Sequence, residues 1–177
     1  MKKRIFIAIT IPKNLQQKIW DWQQSLTYQL PVRWLALKNL HLTLIPPWYE
    51  DNLEKIFLAL DALPKKYPPF KIKFSQVTFG PNRYQPRLIW ATGETPQASL
   101  VLQKALGSLF PHLKSEKRPF RLHLTLARFR PEQFASFPIK NLNEIINWQT
   151  DVTSISLMQS HLSKTGADYE ILKDIKL

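Results

Sequence analysis

The chain contains no cysteine, few acidic residues and no long apolar run. The lack of cysteine excludes a disulfide framework, a thiolate zinc site and a cysteine nucleophile, and it leaves the redox compartment undecided. No stretch approaches the roughly 18 apolar residues that a transmembrane helix needs. The apolar run after the basic start MKKRIFIAIT stops at Pro12, which favours a buried first strand over a secretory signal peptide. These absences predict a soluble, cytoplasmic protein.

The scarcity of acidic residues leaves a large positive charge. Among 177 residues, 25 Lys and Arg face 13 Asp and Glu, for a net charge of +12. Such a charge favours an anionic partner, such as nucleic acid, a phosphorylated metabolite or an acidic membrane surface. The apolar share of 44% and the charged share of 21% are ordinary for a globular domain. The length predicts one domain or two small lobes that share a core.

The hydrophobic pattern predicts strands and helices in alternation. Spacings of three and four residues predict helices over 13–30, 51–63 and 96–110. Alternating or β-branched runs predict strands over 4–9, 32–35, 40–45, 70–79, 88–92, 120–129, 152–159 and 169–177, with a turn over 36–39 that joins the second and third. The segment 131–138 has no assignable pattern. This order indicates an α+β fold with largely antiparallel sheets.

One tetrapeptide occurs twice. The sequence His-Leu-Thr-Leu at 41–44 recurs unchanged at 123–126, almost half the chain later. Both copies lie on predicted strands, where successive side chains point to opposite faces. Each histidine therefore shares a face with the threonine two residues on, while the leucines enter the core. The repeat indicates two structurally related halves, each of which presents one imidazole and one hydroxyl.

The repeated imidazoles favour acid–base chemistry over two simpler interpretations. A lone strand histidine is usually a satisfied polar residue, but two identical copies in a basic chain favour a function. A catalytic zinc needs three protein ligands, and neither copy offers a second at ligand spacing, so no metal or other cofactor is expected. Displacement at phosphorus uses a base and an acid on opposite sides, and hydroxyls can donate to the phosphate oxygens. The pattern therefore favours hydrolysis of a cyclic phosphodiester.

Five segments, in order, resemble one family over the whole length of the chain. They are Arg4–Ile9, Val32–Trp34 with Asn39–Leu44, Pro86–Trp90, Arg118–Arg128 and Ser160–Tyr169. The chain resembles the RNA 2′,3′-cyclic phosphodiesterases, or bacterial 2′-5′ RNA ligases, of the two-histidine phosphoesterase superfamily. The resemblance implies a single domain over 1–177 with a bilobal, pseudo-twofold arrangement of two mainly antiparallel sheets flanked by helices. A central groove between the lobes would hold the active site.

The resemblance also implies an activity and roles for four residues. The activity is hydrolysis of RNA 2′,3′-cyclic phosphate ends to 2′-phosphates, with a reverse reaction that joins tRNA halves through a 2′-5′ linkage. His41 would be the general acid that protonates the departing 3′-oxygen, and His123 the base that activates water. Thr43 and Thr125 would hold the phosphate. The repeat itself is symmetrical and does not distinguish the two histidines.

Two features of this chain depart from a simple copy of the family pattern. The family usually continues its first motif with an aromatic residue and Leu-Gly, whereas here Ile45–Trp48 reads Ile-Pro-Pro-Trp. We expect Trp48, or Tyr49, to stack on the terminal base; the alternative is that Trp48 covers the sheet edge. Arg128 is a candidate phosphate contact, but strict alternation places it opposite the face of His123. It reaches the groove only if the strand ends or bulges there.

Three functions remain open at this level. The favoured one is a metal-independent phosphodiesterase acting on RNA ends, with the basic cluster 114–121 as part of an RNA path. The second keeps the chemistry for a small cyclic nucleotide or an ADP-ribose derivative, and the third is a non-catalytic RNA-binding module. The expected partners are RNA ends, including tRNA fragments, or cyclic nucleotides, with no membrane and a monomeric protein. His112 and His161 lie outside the repeat and are expected to be surface residues.

Overall fold

The computed structural model describes residues 2–26, 30–63, 67–113, 119–163 and 166–177. Within these segments it contains nine strands and three α-helices. In chain order they are β1 (Lys3–Thr10), α1 (Lys13–Ser25), β2 (Arg33–Trp34), β3 (His41–Glu50), α2 (Leu53–Asp61), β4 (Phe70–Gly80), β5 (Leu88–Thr92), α3 (Gln97–Leu109), β6 (His123–Arg128), β7 (Asn143–Val152), β8 (Ser154–Ser163) and β9 (Gly166–Lys176).

The strands form two antiparallel sheets. The first sheet has the order β3-β1-β8-β9 and the second the order β2-β6-β5-β4-β7. In the first sheet β1 leads through α1 to its neighbour β3, and in the second β5 leads through α3 to its neighbour β6. The two histidine-bearing strands therefore occupy equivalent places in two related halves. The expected α+β fold with two mainly antiparallel sheets and flanking helices is confirmed.

The central strand β1 is buried on both faces. Ile5, Ile7 and Ile9 belong to one core that also contains residues of the second sheet. Phe6 and Ala8 point the other way and form a second, small cluster with a methionine of β8. Because both faces are covered, the strand reads as a nearly continuous apolar run, which is why its position was predictable.

The helices are shorter than the periodicity predicts. Helix α1 buries Leu15 and Ile19 and ends at Ser25 because Leu26 already has extended backbone angles; the rest of the predicted helix, 27–29, lies outside the described residues. Helix α2 begins after Asn52, whose side chain accepts a hydrogen bond from the backbone N–H of Lys55. Across the described segments, no helix has the length and apolarity needed to cross a bilayer.

The strands predicted over 32–35 and 40–45 and the turn between them are present, but the two strands belong to different sheets. Strand β2 pairs with β6 in the second sheet, whereas β3 pairs with β1 in the first. A short 3-10 turn at Leu37–Asn39 connects them. The chain crosses between sheets because the N–H of Leu35 donates to the carbonyl of Leu126, whereas the carbonyl of Leu40 accepts from the N–H of Ile11. Strand β3 also continues to Glu50 through two prolines, which an edge strand tolerates.

The C-terminal region contains one strand more than predicted. Strand β7 pairs with β4 at the edge of the second sheet, and the expected strand over 152–159 corresponds to β8. In β7 only Trp148 and Val152 are buried, and Ile145 is largely exposed, so its sequence has no clean alternation. The unassigned segment 131–138 contains a 3-10 helix at Pro131–Ser136.

Candidate active site

The two repeated motifs open strands β3 and β6. His41 and His123 are the first residues of these strands, and Thr43 and Thr125 follow on the same faces. All four side chains are half-buried, while the leucines between them are buried in the core. Strands β3 and β6 contact each other across the two sheets, and we call the surface formed by these half-buried side chains the groove. Strand alternation thus separates the polar and apolar residues of each motif as the sequence indicates.

Both imidazoles are held in the same orientation. Nδ1 of His41 lies 2.7 Å from the carbonyl oxygen of Asn39, and Nδ1 of His123 lies 2.8 Å from the carbonyl oxygen of Arg121. A carbonyl oxygen only accepts, so each Nδ1 carries a proton and donates it. In the neutral ring Nε2 is then unprotonated, and Nε2 is the nitrogen that exchanges a proton with a ligand. The two halves present equivalent acid–base groups.

Aromatic rings limit the movement of both imidazoles. The ring centre of His41 lies 5.0 Å from that of Phe6 and 4.9 Å from that of Tyr169. The ring centre of His123 lies 5.4 Å from that of Trp90. These aromatic residues come from strands of the same sheet, so each half positions its own histidine.

Asn39 connects the His41 side of the groove to β9. Its side chain is buried, with 7% exposure. Its Nδ2 donates to the carbonyl oxygen of Ala167 at 3.2 Å, and the N–H of Tyr169 donates to its Oδ1 at 3.3 Å. The backbone carbonyl of this same residue orients His41. Asn39 therefore fixes the position of the acceptor that sets the tautomer of His41.

Trp90 has the corresponding role on the His123 side. Its Nε1 donates to Oγ1 of Thr78 at 3.0 Å. The indole lies directly on Gly80, where an added methyl group would come within 2.5 Å of Nε1. A glycine at position 80 is thus what lets the indole lie flat against the sheet beside His123.

Charges from the second half act on His41. Burial lowers the pKa of His41, and the positive charges of Arg128 and His123 lower it further, against the opposing effect of the hydrogen bond to Asn39. Arg128 and His123 belong to the other sheet, and they act on His41 because strands β3 and β6 contact each other. The neutral form of His41 is therefore favoured in the unliganded protein.

A break in register brings Arg128 to the groove face. Along β5 and β6, Trp90 pairs with Thr125 and Ile89 with Ala127, so Leu126 is an extra residue. Leu126 and Ala127 are both buried, and Arg128 emerges exposed on the side of Thr125. This is the bulge that an approach of Arg128 to the groove requires.

A second arginine lies beside Arg128. Arg33 of β2 pairs directly with it, and the guanidinium of Arg33 extends to Gly166 in the first sheet, where an added Cβ would lie 2.9 Å from its Nη1. Arg33 and Arg128 thus place two positive charges on neighbouring strands, which favours an anionic ligand nearby. Among the described residues no group of three histidine, cysteine or acidic side chains is placed to hold a metal ion.

Comparison with known proteins identifies the family. A model of the 2′-5′ RNA ligase superfamily matches residues 11–164. The chain belongs to this superfamily.

Relatives in the superfamily match over nearly their full length. The chain is 26% identical to an RNA 2′,3′-cyclic phosphodiesterase of Archaeoglobus fulgidus, with 96% of this chain and 98% of the relative covered. It is also 26% identical to the Bacillus subtilis protein of that name, with 98% and 96% covered. The crystal structure of Escherichia coli LigT complexed with 3′-AMP superposes with a TM-score of 0.80 at 25% identity, covering 100% of this chain and 99% of that one.

Trp48 does not line the groove of this superfamily member, contrary to expectation. Its side chain is only 9% exposed and packs in the core, with its ring centre 5.5 Å from that of Phe110. The irregular register around the two prolines turns Trp48 to the same face as its partner Ile5. Tyr49 is exposed but lies far from His41. Along β1, Tyr49 pairs with Arg4 and His41 pairs with Thr10, and these two positions are about 20 Å apart.

The remaining predicted groups lie away from the groove or outside the described chain. His161 contacts Glu170 at 2.9 Å on the surface, and His112 packs edge-on against Phe110. Of the basic cluster 114–121, residues 114–118 are outside the described residues. Sequence reasoning missed Asn39, Trp90 and Thr78, although the first two lie in segments that carried the family resemblance. Their proximity to a histidine depends on pairing between strands, which a single sequence does not show.

Proposed function

We propose that the protein hydrolyses RNA 2′,3′-cyclic phosphate ends to 2′-phosphomonoesters, with His41 and His123 as an acid–base pair. The observation that carries the proposal is the matched pair of imidazoles, each with Nδ1 bound to a backbone carbonyl and Nε2 left for proton exchange. The name shared by the archaeal and bacterial relatives supports the same activity.

The proposed reaction divides the proton transfers between the two halves. Nε2 of His123 takes a proton from water as the water oxygen bonds to phosphorus. The bond from phosphorus to the 3′-oxygen breaks, and His41 donates the proton that this oxygen needs. Thr43, Thr125 and Arg128 donate hydrogen bonds to the non-bridging oxygens, where negative charge accumulates. With an RNA 5′-hydroxyl in place of water as the attacking group, the same pair would open the cyclic phosphate to a 2′-5′ linkage, with the 3′-oxygen again leaving as a hydroxyl.

The acid role of His41 depends on bound substrate in this scheme. Burial and nearby positive charge lower the pKa of His41 in the free protein. An anionic cyclic phosphate in the groove acts in the opposite direction and favours the protonated ring. The acidic group should therefore show a higher pKa in the pH profile of kcat than in that of kcat/KM. Equal values in the two profiles would contradict the assignment of His41 as the acid.

The direct test is product analysis on an RNA oligomer with a 2′,3′-cyclic phosphate, in buffer containing excess EDTA. We expect an RNA 2′-phosphate, formed at the same rate without the chelator. A 3′-phosphate product would mean that the 2′-oxygen leaves instead of the 3′-oxygen. Loss of turnover in EDTA would replace this mechanism with a metal-dependent one. Turnover of cyclic mononucleotides alone would favour the small-nucleotide function, and binding without turnover would favour a non-catalytic RNA-binding module.

The proposal also covers assembly and location. One chain supplies both histidines and both threonines, so a monomer contains the whole proposed site. RNA ends, including tRNA fragments, are the proposed substrates, and from them we infer a cytoplasmic location.

A further inference from the structure

A pocket extends from His123 over the second sheet, and His41 is not among the residues that line it. It has a volume of about 520 Å³, within the range of sites that hold small ligands. It runs across β5 to the end of β4 and the loop that follows. Its polar lining is Thr78, Arg83, Trp90, Thr92, Thr95 and Arg121. We call it the Arg83 pocket. Of the residues that line this pocket, the proposed hydrolysis uses only His123.

The lining of the Arg83 pocket suits a phosphodiester. It contains two guanidinium groups, and none of the described residues that line it is acidic. The guanidinium of Arg83 lies over the ring of Tyr84, 4.6 Å from its centre, and also donates to the Tyr84 hydroxyl. The exposed tyrosine thus restrains the Arg83 guanidinium before any ligand arrives. A pre-ordered arginine loses less conformational entropy on binding a phosphate.

Two threonine hydroxyl groups in the pocket already accept a hydrogen bond and can still donate one. Oγ1 of Thr78 accepts from Trp90, and Oγ1 of Thr95 accepts from the N–H of Leu122. Each hydroxyl keeps its own proton to donate. Such donors fit ribose and phosphate oxygens and carry no base specificity.

The position of the pocket relates it to the RNA chain. Arg121 stands two residues before His123, about 6.6 Å along the extended backbone. A terminal nucleotide whose cyclic phosphate sits at the two histidines carries the rest of the RNA on its 5′-oxygen. The next phosphodiester must therefore lie within one nucleotide of His123, and the pocket offers arginines at that range.

We propose that the Arg83 pocket binds the phosphodiester and ribose on the 5′ side of the terminal nucleotide, so that the protein prefers RNA ends to cyclic mononucleotides. This inference rests on the proposed function and deepens it. It makes Arg83 a specificity-determining residue that acts one nucleotide away from the reacting phosphorus.

The test compares kcat/KM for two substrates. One is adenosine 2′,3′-cyclic phosphate, and the other is the 3′-5′-linked RNA dinucleotide ApA that ends in a 2′,3′-cyclic phosphate. We expect the wild-type protein to prefer the dinucleotide by about tenfold, as one charge-assisted contact would give. Arg83→Ala should reduce this ratio to about two or less. Arg83→Lys should retain part of it, because the charge remains without the planar fork. Raising the salt concentration should reduce the wild-type ratio.

Lys18→Ala on the exposed side of α1 removes one positive charge that does not line the pocket and should leave the ratio unchanged. A wild-type ratio near one, with both substrates hydrolysed, would overturn the pocket assignment and leave the proposed function standing. So would an Arg83→Ala variant that loses the same factor on both substrates, since the pocket would then serve the terminal nucleotide or the fold. Failure to hydrolyse either substrate would instead refute the proposed function on which this inference rests.

Discussion

At the residue scale, the central observation is how each imidazole is oriented. A backbone carbonyl two residues upstream accepts from Nδ1 in both halves. On the His41 side this carbonyl belongs to a buried asparagine bound to two backbone groups of β9. Acid–base groups need orientation as well as a suitable pKa, so residues behind the imidazole affect the rate without touching the substrate.

Asn39→Ala tests this positioning. It leaves two backbone groups of β9 without their partners, so we expect a loss of about 1–2 kcal/mol in the free energy of unfolding. We also expect kcat to fall about tenfold or more with little change in KM, because a misplaced imidazole weakens the transition state. Steady-state kinetics and urea denaturation provide both values.

Lys38→Ala is the matched control. Lys38 is the adjacent residue and forms an exposed ion pair with Asp168 at 2.8 Å. Exposed pairs contribute little, so this variant should keep its kcat. A kcat for Asn39→Ala that matches the control would refute the positioning role.

The charge on Arg128 provides a second prediction at this scale. This charge lowers the pKa of His41, so Arg128→Met should raise it. An NMR titration of the His41 ring proton measures the shift. Arg130→Met removes an exposed arginine two residues later and should leave the pKa of His41 unchanged. An unchanged or lower pKa of His41 in Arg128→Met would show that the two groups do not interact across the groove.

At the element scale, the strands that carry the histidines were predictable and their surroundings were not. The alternation of His-Leu-Thr-Leu determines which side chains share a face, and β3 and β6 follow it. The position of Arg128 depends on an extra residue in β6, which appears only in the pairing with β5. Likewise Trp48 follows the irregular pairing with β1 into the core. The sequence reports local periodicity, whereas bulges depend on the neighbouring strand.

The same limit explains what the element assignment left out. The segments 32–35 and 40–45 are adjacent in sequence but pair with different sheets, which the turn between them does not reveal. Strand β7 was missed because Ile145 faces solvent while Glu144 and Thr150 take the half-buried positions, which breaks the apolar alternation of a strand with one solvated face. These differences do not affect the two His-Leu-Thr-Leu motifs, whose spacing alone indicated the paired histidines and threonines.

Gly80→Ala tests the contact between β4 and β5 that holds Trp90. The added methyl group would overlap the indole, so we expect a loss of about 1–3 kcal/mol in the free energy of unfolding. Gly80→Ala combined with Trp90→Phe should recover part of this loss, because the smaller ring leaves room. Urea denaturation of both variants measures the difference.

Gly107→Ala is the control for this pair. A methyl group at position 107, in helix α3, meets no atom within 4 Å. Alanine favours a helix over glycine, so this variant should be unchanged or more stable by up to about 1 kcal/mol. A Gly80→Ala protein as stable as this control would show that Trp90 does not lie on Gly80.

At the scale of the whole molecule, two related halves each contribute one histidine to one groove. Each half holds its own imidazole with its own carbonyl and its own aromatic residues, as the separate contacts of His41 and His123 show. Neither half contains an acid and a base together. The net charge of +12 supplies long-range attraction for an anionic substrate, and the groove arginines act at short range.

The most direct test of this account is the turnover of RNA 2′,3′-cyclic phosphate by His41→Ala, His123→Ala and the double variant. Since the acid and the base act in one step, each single variant should lose about 10³-fold or more in kcat, and the double variant should be little worse than either. Losses that multiply in the double variant, or full activity in either single variant, would contradict a paired mechanism.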